Sequence, residues 1–280
     1  MKLIDIYNNH EEKVSDKWFS YINKYDELFA PYKDLPINLF EIGIQNGGSL
    51  EIYSKYFSKA QNIIGNDINI KCRELKFNDE RIKLIVGDAN EINTKQKILD
   101  LQKFDIIIDD GSHTSPDIIK SFANYFNHLK NGGLYIIEDL HCSYWKQFKG
   151  GLFFPISSIS FFKKIIDLIN HDHWGIDKDF NFFLKLFIMN YKINIKEIDF
   201  KSIKSIEFLN SVCVIKKEDN NLGKRIIKGK YAQVVPNIDE ISQRDENISI
   251  NQNDNPYSNV ETLPEEEILI LKEKLKQKSK

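Results

Sequence analysis

From residue 37 onward, short runs rich in Ile, Leu and Phe alternate with longer stretches in which apolar positions recur every three or four residues. A short apolar run suits a buried strand, whereas the 3.6 period marks an amphipathic helix. On that rule the pattern predicts strands at residues 37–43 (INLFEIG), 62–65, 81–90 (RIKLIVGDAN), 104–108 and 134–137. Helices are expected over 50–57 and 117–129, with a Gly132-Gly133 break before the strand at 134. Strands alternating with helices imply right-handed parallel crossovers. Two later β-patterned runs, 193–200 and 208–216, read as an antiparallel pair closing the sheet. The expected fold is therefore α/β: a doubly wound, mostly parallel sheet of seven strands with an antiparallel C-terminal hairpin.

The flanks have other patterns. Residues 11–32 carry Trp18, Tyr21, Ile22, Tyr25, Leu28 and Phe29 at helical spacing, and Pro36 ends that region. The segment reads as a helix packed on the domain's edge or as a lid over an active site. Residues 150–175 combine an aromatic-rich loop with an amphipathic helix, and a second helix is expected over 179–189. Placed after the fifth strand, these can wall an acceptor pocket or serve as core. Beyond Lys230 the composition turns polar. Residues 237–262 read as a linker, and 264–280 as a helix with acids first and lysines last. Its stripe of Ile268, Leu271 and Leu275 suits docking on the domain or pairing with a second copy, a possible homo-oligomer. The division expected is 1–36 as an N-terminal helical segment, 37–230 as the main domain, and 231–280 as linker and helix.

The chemistry-bearing residues cluster at the carboxyl ends of the expected strands, where open parallel sheets bind ligands. The strand at 104–108 runs into Asp109, Asp110 and His113; that at 134–137 runs into Glu138, Asp139 and His141. Adjacent strands lie about 4.8 Å apart, so the two acidic pairs are expected to face each other across one crevice. The first strand passes into Glu41-Ile-Gly43-Ile-Gln-Asn-Gly47-Gly48-Ser49. Glycines at a strand-to-helix turn let backbone N–H groups approach a ligand. A carboxylate two residues earlier disfavours a pyrophosphate and suits a cationic ligand, such as the amino group and sulfonium of S-adenosylmethionine (SAM). Asp67 closes the second strand, where an acid commonly receives a ribose diol. Asp88 closes the third, where an adenine amino group can be held. Singly, each acid reads equally as a loop residue or a helix cap; together, beside a glycine turn, they point to a nucleoside ligand.

Composition narrows the classes. Of 280 residues 41% are hydrophobic, enough for a sizeable core, and Lys+Arg 39 against Asp+Glu 41 leaves no nucleic-acid footprint or polybasic membrane patch. The opening MKLIDIYNNHEE lacks the apolar core of a signal peptide, and no run of about 18 apolar residues predicts a membrane span. Cys72, Cys142 and Cys213 are scattered, which argues against a disulfide framework or zinc site and fits a cytoplasmic location. A short-chain dehydrogenase reading fails because the chain has neither G-x-G-x-x-G nor a tyrosine followed four residues later by lysine.

The motifs FEIGIQNGGSLEIY, GNDIN, VGDAN, FDIIIDDGSHTS, GGLYIIEDLHCSYW and INHDHW resemble those of the Rossmann-like class I SAM-dependent methyltransferases. The likeness is to the metal-dependent macrolide-sugar O-methyltransferases of the mycinamicin and macrocin type and their bacterial polysaccharide-associated relatives. It covers about residues 14–215, and residues 14–29 depart from relatives that carry a His there. The resemblance implies that Asp110, Glu138 and Asp139 hold a divalent metal, Mg²⁺ or Mn²⁺, and that His113 is the catalytic base. It implies SAM contacts at Glu41, Gly43, Gly47, Ser49, Asp67, Asp88 and Ala89. Asp109 falls on the cofactor side or caps the turn. His141, Tyr144 and Trp145 are candidates for the acceptor pocket, or for packing. The implied reaction moves a methyl group onto a sugar hydroxyl, in a nucleotide sugar or a surface-polysaccharide precursor. Small non-sugar acceptors and a non-catalytic SAM-binding domain remain the alternatives.

Overall fold

The computed structural model describes residues 1–176, 178–218, 227–229, 251–253 and the single residues 234, 258 and 273. Seven strands, β1 (Asn38–Ile42), β2 (Asn62–Asp67), β3 (Ile82–Val86), β4 (Phe104–Asp109), β5 (Leu129–Ile137), β6 (Ile203–Leu209) and β7 (Val212–Lys217), form one sheet. Their order is β3-β2-β1-β4-β5-β7-β6. The first five pair in parallel, and β7 is antiparallel to both β5 and β6. This is the doubly wound, mostly parallel architecture that the periodicity predicts. Strand order reverses between β1 and β4, which opens a crevice at their carboxyl ends.

Alternation along the strands builds two apolar layers. Leu39, Ile63, Ile106, Ile108, Leu134 and Ile136 share one buried cluster with α1 (Leu3–Asn8), α2 (Phe19–Phe29) and α3 (Gly48–Tyr56), through Leu3, Ile6, Tyr25, Phe29, Leu50 and Tyr53. On β1 the next residue, Phe40, instead stacks on Phe104 at 5.1 Å and meets Tyr125 at 5.4 Å. Tyr125 belongs to α5 (Ser115–Tyr125), whose Phe122 packs on Tyr135 and on Phe161 and Phe162 of α6 (Ser158–Ile169). Each fully buried side chain of this size contributes roughly 1.5–3 kcal/mol. α4 (Ile92–Leu99) links β3 to β4.

The N-terminal region departs from the single helix expected over 11–32. A first helix, α1, buries Leu3 and Ile6, and α2 begins only at Phe19. Between them the chain forms a strap: Lys13 N–H donates to Glu51, and His10 bonds the Lys13 carbonyl. Trp18 is not packed on the edge; it precedes α2 and is 60% exposed.

The hairpin lies later than its pattern suggests. Residues 193–200 form turns, because the Asn194 side chain accepts from the Lys196 N–H and competes with a ladder. Ile193, Ile195, Ile198 and Phe200 are anchors rather than a strand face. The true partner, β6, is an edge strand largely open to solvent, so it lacks the apolar signal. β5 starts at Leu129, running through Gly132-Gly133 with a register shift in its pairing with β4. The helix expected over 179–189 divides at Leu184 into α7 (Phe180–Phe183) and α8 (Lys185–Tyr191).

The architecture just given belongs to one compact unit, residues 1–169 and 179–218. Residues 170–176 and 178 belong to a second unit together with the described residues beyond 226, and include a turn at His171–His173. The linker expected over 237–262 and the helix over 264–280 lie almost wholly outside the described residues.

Candidate active site

Two local features bring the acids together. Gly43 has φ +84°, and a Cβ there would lie 2.1 Å from the Asp110 carbonyl oxygen. Only glycine lets the exit of β1 touch the exit of β4. The parallel ladder also runs one step past the strands: Asp110 N–H donates to the Ile42 carbonyl and Glu138 N–H to the Asp109 carbonyl, both at 2.9 Å. Asp139 (φ +51°) and His113 (φ +56°) both adopt the left-handed conformation uncommon outside glycine.

The carboxylates form two sets that share Asp110. In the inner set, Glu41, Asp110 and Glu138 surround the Lys17 ammonium at 3.2, 2.5 and 2.7 Å. Tyr25 donates to the same Glu138 oxygen at 2.5 Å, and Ser49 donates to Glu41. In the outer set, His113 Nε2 stands 3.9 Å from Asp110 and 3.7 Å from Asp139, whose other oxygen accepts from Tyr21 at 2.8 Å. Both sets bring their ligand atoms within 4.8 Å of one another.

Burial dominates the electrostatics. It pushes Asp110 up to about 6 and Glu138 up to about 7, although Lys17 pulls both down. Burial alone would lower Lys17, but Glu138, Asp110 and Glu41 together raise it well above the ordinary lysine value. Asp109 is buried beside Asp110 and is pushed up to about 8, mainly by desolvation. Burial lowers His113, against the pull of Asp139 and Glu138, so its imidazole is neutral at pH 7.

Two cavities meet at this cluster. One, of about 220 Å³, is lined by Gly43, Asp67, Asp88, Ala89, Asp109 and others along the ends of β1–β4. The second, of about 450 Å³, is lined by Trp18, Phe19, Tyr21, Glu138, Asp139 and His141. Gln45, Asp110 and His113 line both.

Known proteins resemble this chain in sequence and in fold. The chain is 34% identical over 168 residues to 8-demethyl-8-alpha-L-rhamnosyl tetracenomycin-C 2'-O-methyltransferase of Streptomyces olivaceus, covering 56% of this chain and 43% of that protein. It is 36% identical over 172 residues to mycinamicin VI 2''-O-methyltransferase of Micromonospora griseorubida, covering 57% and 41%. Among solved structures, the mycinamicin methyltransferase MycE in complex with Mg, SAH and mycinamycin VI superposes with TM-score 0.62 at 26% identity, over 80% of this chain and 56% of that one. A second crystal form, with Mg and SAH, gives TM-score 0.65 over 88% and 59%. No family model matches the chain. The chain has the class I methyltransferase fold. The matched segment spans about two-fifths of the length of these curated relatives.

Within that methyltransferase fold the expected residues divide. Gly43, Asp67, Asp88, Ala89 and Asp109 line the smaller cavity. Asp67 also braces the turn, accepting from the Ile44 and Gln45 N–H groups at 3.1 and 2.9 Å. Glu41, Gly47 and Ser49 do not line it: Glu41 is fully buried, and the cation it faces is Lys17. Of the acceptor candidates, His141 lines the larger cavity and Trp145 packs on it at 4.7 Å, while Tyr144 and Trp145 lie outside the lining. Sequence reasoning missed Lys17, Tyr21 and Tyr25 as polar groups of the site, and Trp18 and Phe19 as its rim. A lysine among 39 basic residues carries no signal of its own, and tyrosines at helical spacing read as core.

Proposed function

We propose that this chain is a SAM- and divalent-cation-dependent O-methyltransferase acting on a sugar hydroxyl. The observation that carries the reading is the wall of Asp110 and His113 common to two cavities, one suited to a nucleoside and the other open to an acceptor. The relatives named for methylating rhamnosyl tetracenomycin C and mycinamicin VI supply the acceptor class. A nucleotide sugar or a surface-polysaccharide precursor is the finer reading we adopt for this chain.

The residues fit a hard cation. Asp110 and Asp139 offer oxygen donors in the outer set beside His113, Glu138 adds one from the inner set through the shared Asp110, and no cysteine is among the clustered residues. When bound, Mg²⁺ or Mn²⁺ would stabilise the alkoxide that develops on the acceptor. SAM, already activated as a sulfonium, would occupy the smaller cavity, with Asp67 and Asp88 toward its ribose and adenine and Gly43 admitting its methionine end.

The chain's own residues do the rest. His113 Nε2, neutral through burial, takes the proton from the acceptor hydroxyl. Asp139 and Asp110 face that nitrogen at 3.7 and 3.9 Å and stabilise the imidazolium that results. Tyr21 fixes Asp139, and Trp18, Phe19 and His141 offer flat faces of the kind sugars stack on.

The test is methyl transfer from labelled SAM to a panel of nucleotide sugars, polysaccharide fragments, glycosylated polyketides and simple phenols. Label should appear as an O-methyl group on a sugar. Transfer only to phenols would overturn the acceptor class.

A further inference from the structure

The inner carboxylate set has the donors of a cation site, yet a side chain of the same molecule fills it. We propose that Lys17 is a resident cation that occupies the inner set and confines the divalent ion to the outer side of Asp110, beside Asp139 and His113. The inference rests on the metal-dependent reading above.

Three observations carry it. Lys17 Nζ contacts Glu41, Asp110 and Glu138 together, and its side chain is only 3% exposed. A cation stabilises the ionised form of three carboxylates brought this close and this deep, since removing charge from water is costly unless it is paired. Second, Lys17 is not a free arm that swings aside. It lies between α1 and α2, both anchored in the core by Leu3, Ile6, Tyr21, Ile22, Tyr25 and Phe29. The strap carrying it is pinned by Lys13 on Glu51 at 2.5 Å, and runs so close to Gly48 that a Cβ there would lie 2.2 Å from the Lys13 carbonyl oxygen.

Third, the oxygens divide. Lys17 takes Asp110 Oδ2 and Glu138 Oε1, and Tyr25 takes Glu138 Oε1 as well. Asp110 Oδ1 faces His113, as does Asp139 Oδ2. Asp110 Oδ1 and Asp139 Oδ2, the oxygens left to a second cation beside His113, belong to residues that line the larger cavity with it. Without Lys17 the inner set would draw that ion away from the acceptor. Lys17 is thus a positioning residue, setting where the metal sits rather than touching the reacting atoms.

Crystals of the wild-type protein soaked with Mn²⁺ and SAH, measured at the manganese absorption edge, test this directly. The anomalous peak should lie between Asp110 and Asp139, with the Lys17 ammonium still on Glu41 and Glu138. A peak among Glu41, Asp110 and Glu138 with Lys17 expelled would overturn the proposal but leave the metal-dependent reading standing. No manganese at either place would end both. In solution, Lys17→Met should bind Mn²⁺ more tightly by on the order of tenfold, while Lys17→Arg keeps the wild-type affinity. A folded Lys17→Met protein with wild-type affinity would also overturn it. If that variant does not fold, the wild-type diffraction measurement decides.

Discussion

At His113 the proposed chemistry of the site rests on a single side chain. Its backbone is held in the left-handed conformation, and its ring faces two carboxylates and is desolvated enough to lower its pKa from 6.5. A lowered pKa means that the proton-accepting form persists on the acid side of the ordinary imidazole value. Activity should therefore fall only below about pH 6.5 as His113 gains its proton, and rise with pH through that limb. His113→Ala should lower kcat by about 10²–10⁴-fold and abolish the limb, which a pH–rate series on both proteins checks. A variant retaining the limb would assign the titration to another group. The same scale shows why the sequence was only partly legible. Asp110, Glu138, Asp139 and His113 follow strand ends in recognisable motifs, so their convergence could be read from topology. Lys17 reaches the same cluster from a strap of irregular backbone, and no periodicity encodes that approach.

Among the elements, the β1 exit turn is the most exacting. Gly43 combines a φ that L side chains rarely adopt with a contact to main chain rather than to a side chain able to move. Gly43→Ala should destabilise the fold by more than about 1 kcal/mol and separate Asp110 from the glycine turn. Denaturant unfolding of the variant, with loss of SAM binding, measures both consequences. A variant of unchanged stability would show that the turn relaxes without cost. Central strands were legible because both of their faces are buried, leaving continuous Ile-rich runs such as 106–108. β6 was not, because an exposed edge strand carries Lys204, Ser205 and Glu207 where a core strand would carry aliphatics. The N-terminal helix was legible as an apolar stripe, but not in its second task. Tyr21 and Tyr25 bury their rings in the core and still deliver hydroxyls to Asp139 and Glu138.

For the whole molecule, the decisive property is that two cavities open on a shared wall of charge. The doubly wound topology supplies one of them at the switch point between β1 and β4, and the strap with the start of α2 supplies rims for the other. Glu41, Asp110, Glu138 and Asp139 outnumber the ammonium of Lys17 at this centre, so a divalent ion finds carboxylate oxygens there beyond those that Lys17 holds. The most direct test is methyl transfer from SAM to the best acceptor of the panel, measured with excess chelator and again after adding Mg²⁺ or Mn²⁺, alongside calorimetry of SAM binding. Chelation is expected to abolish transfer, either ion to restore it, and SAM affinity to change little. Full transfer in excess chelator would contradict that and leave the carboxylates as partners of Lys17, Tyr21 and His113.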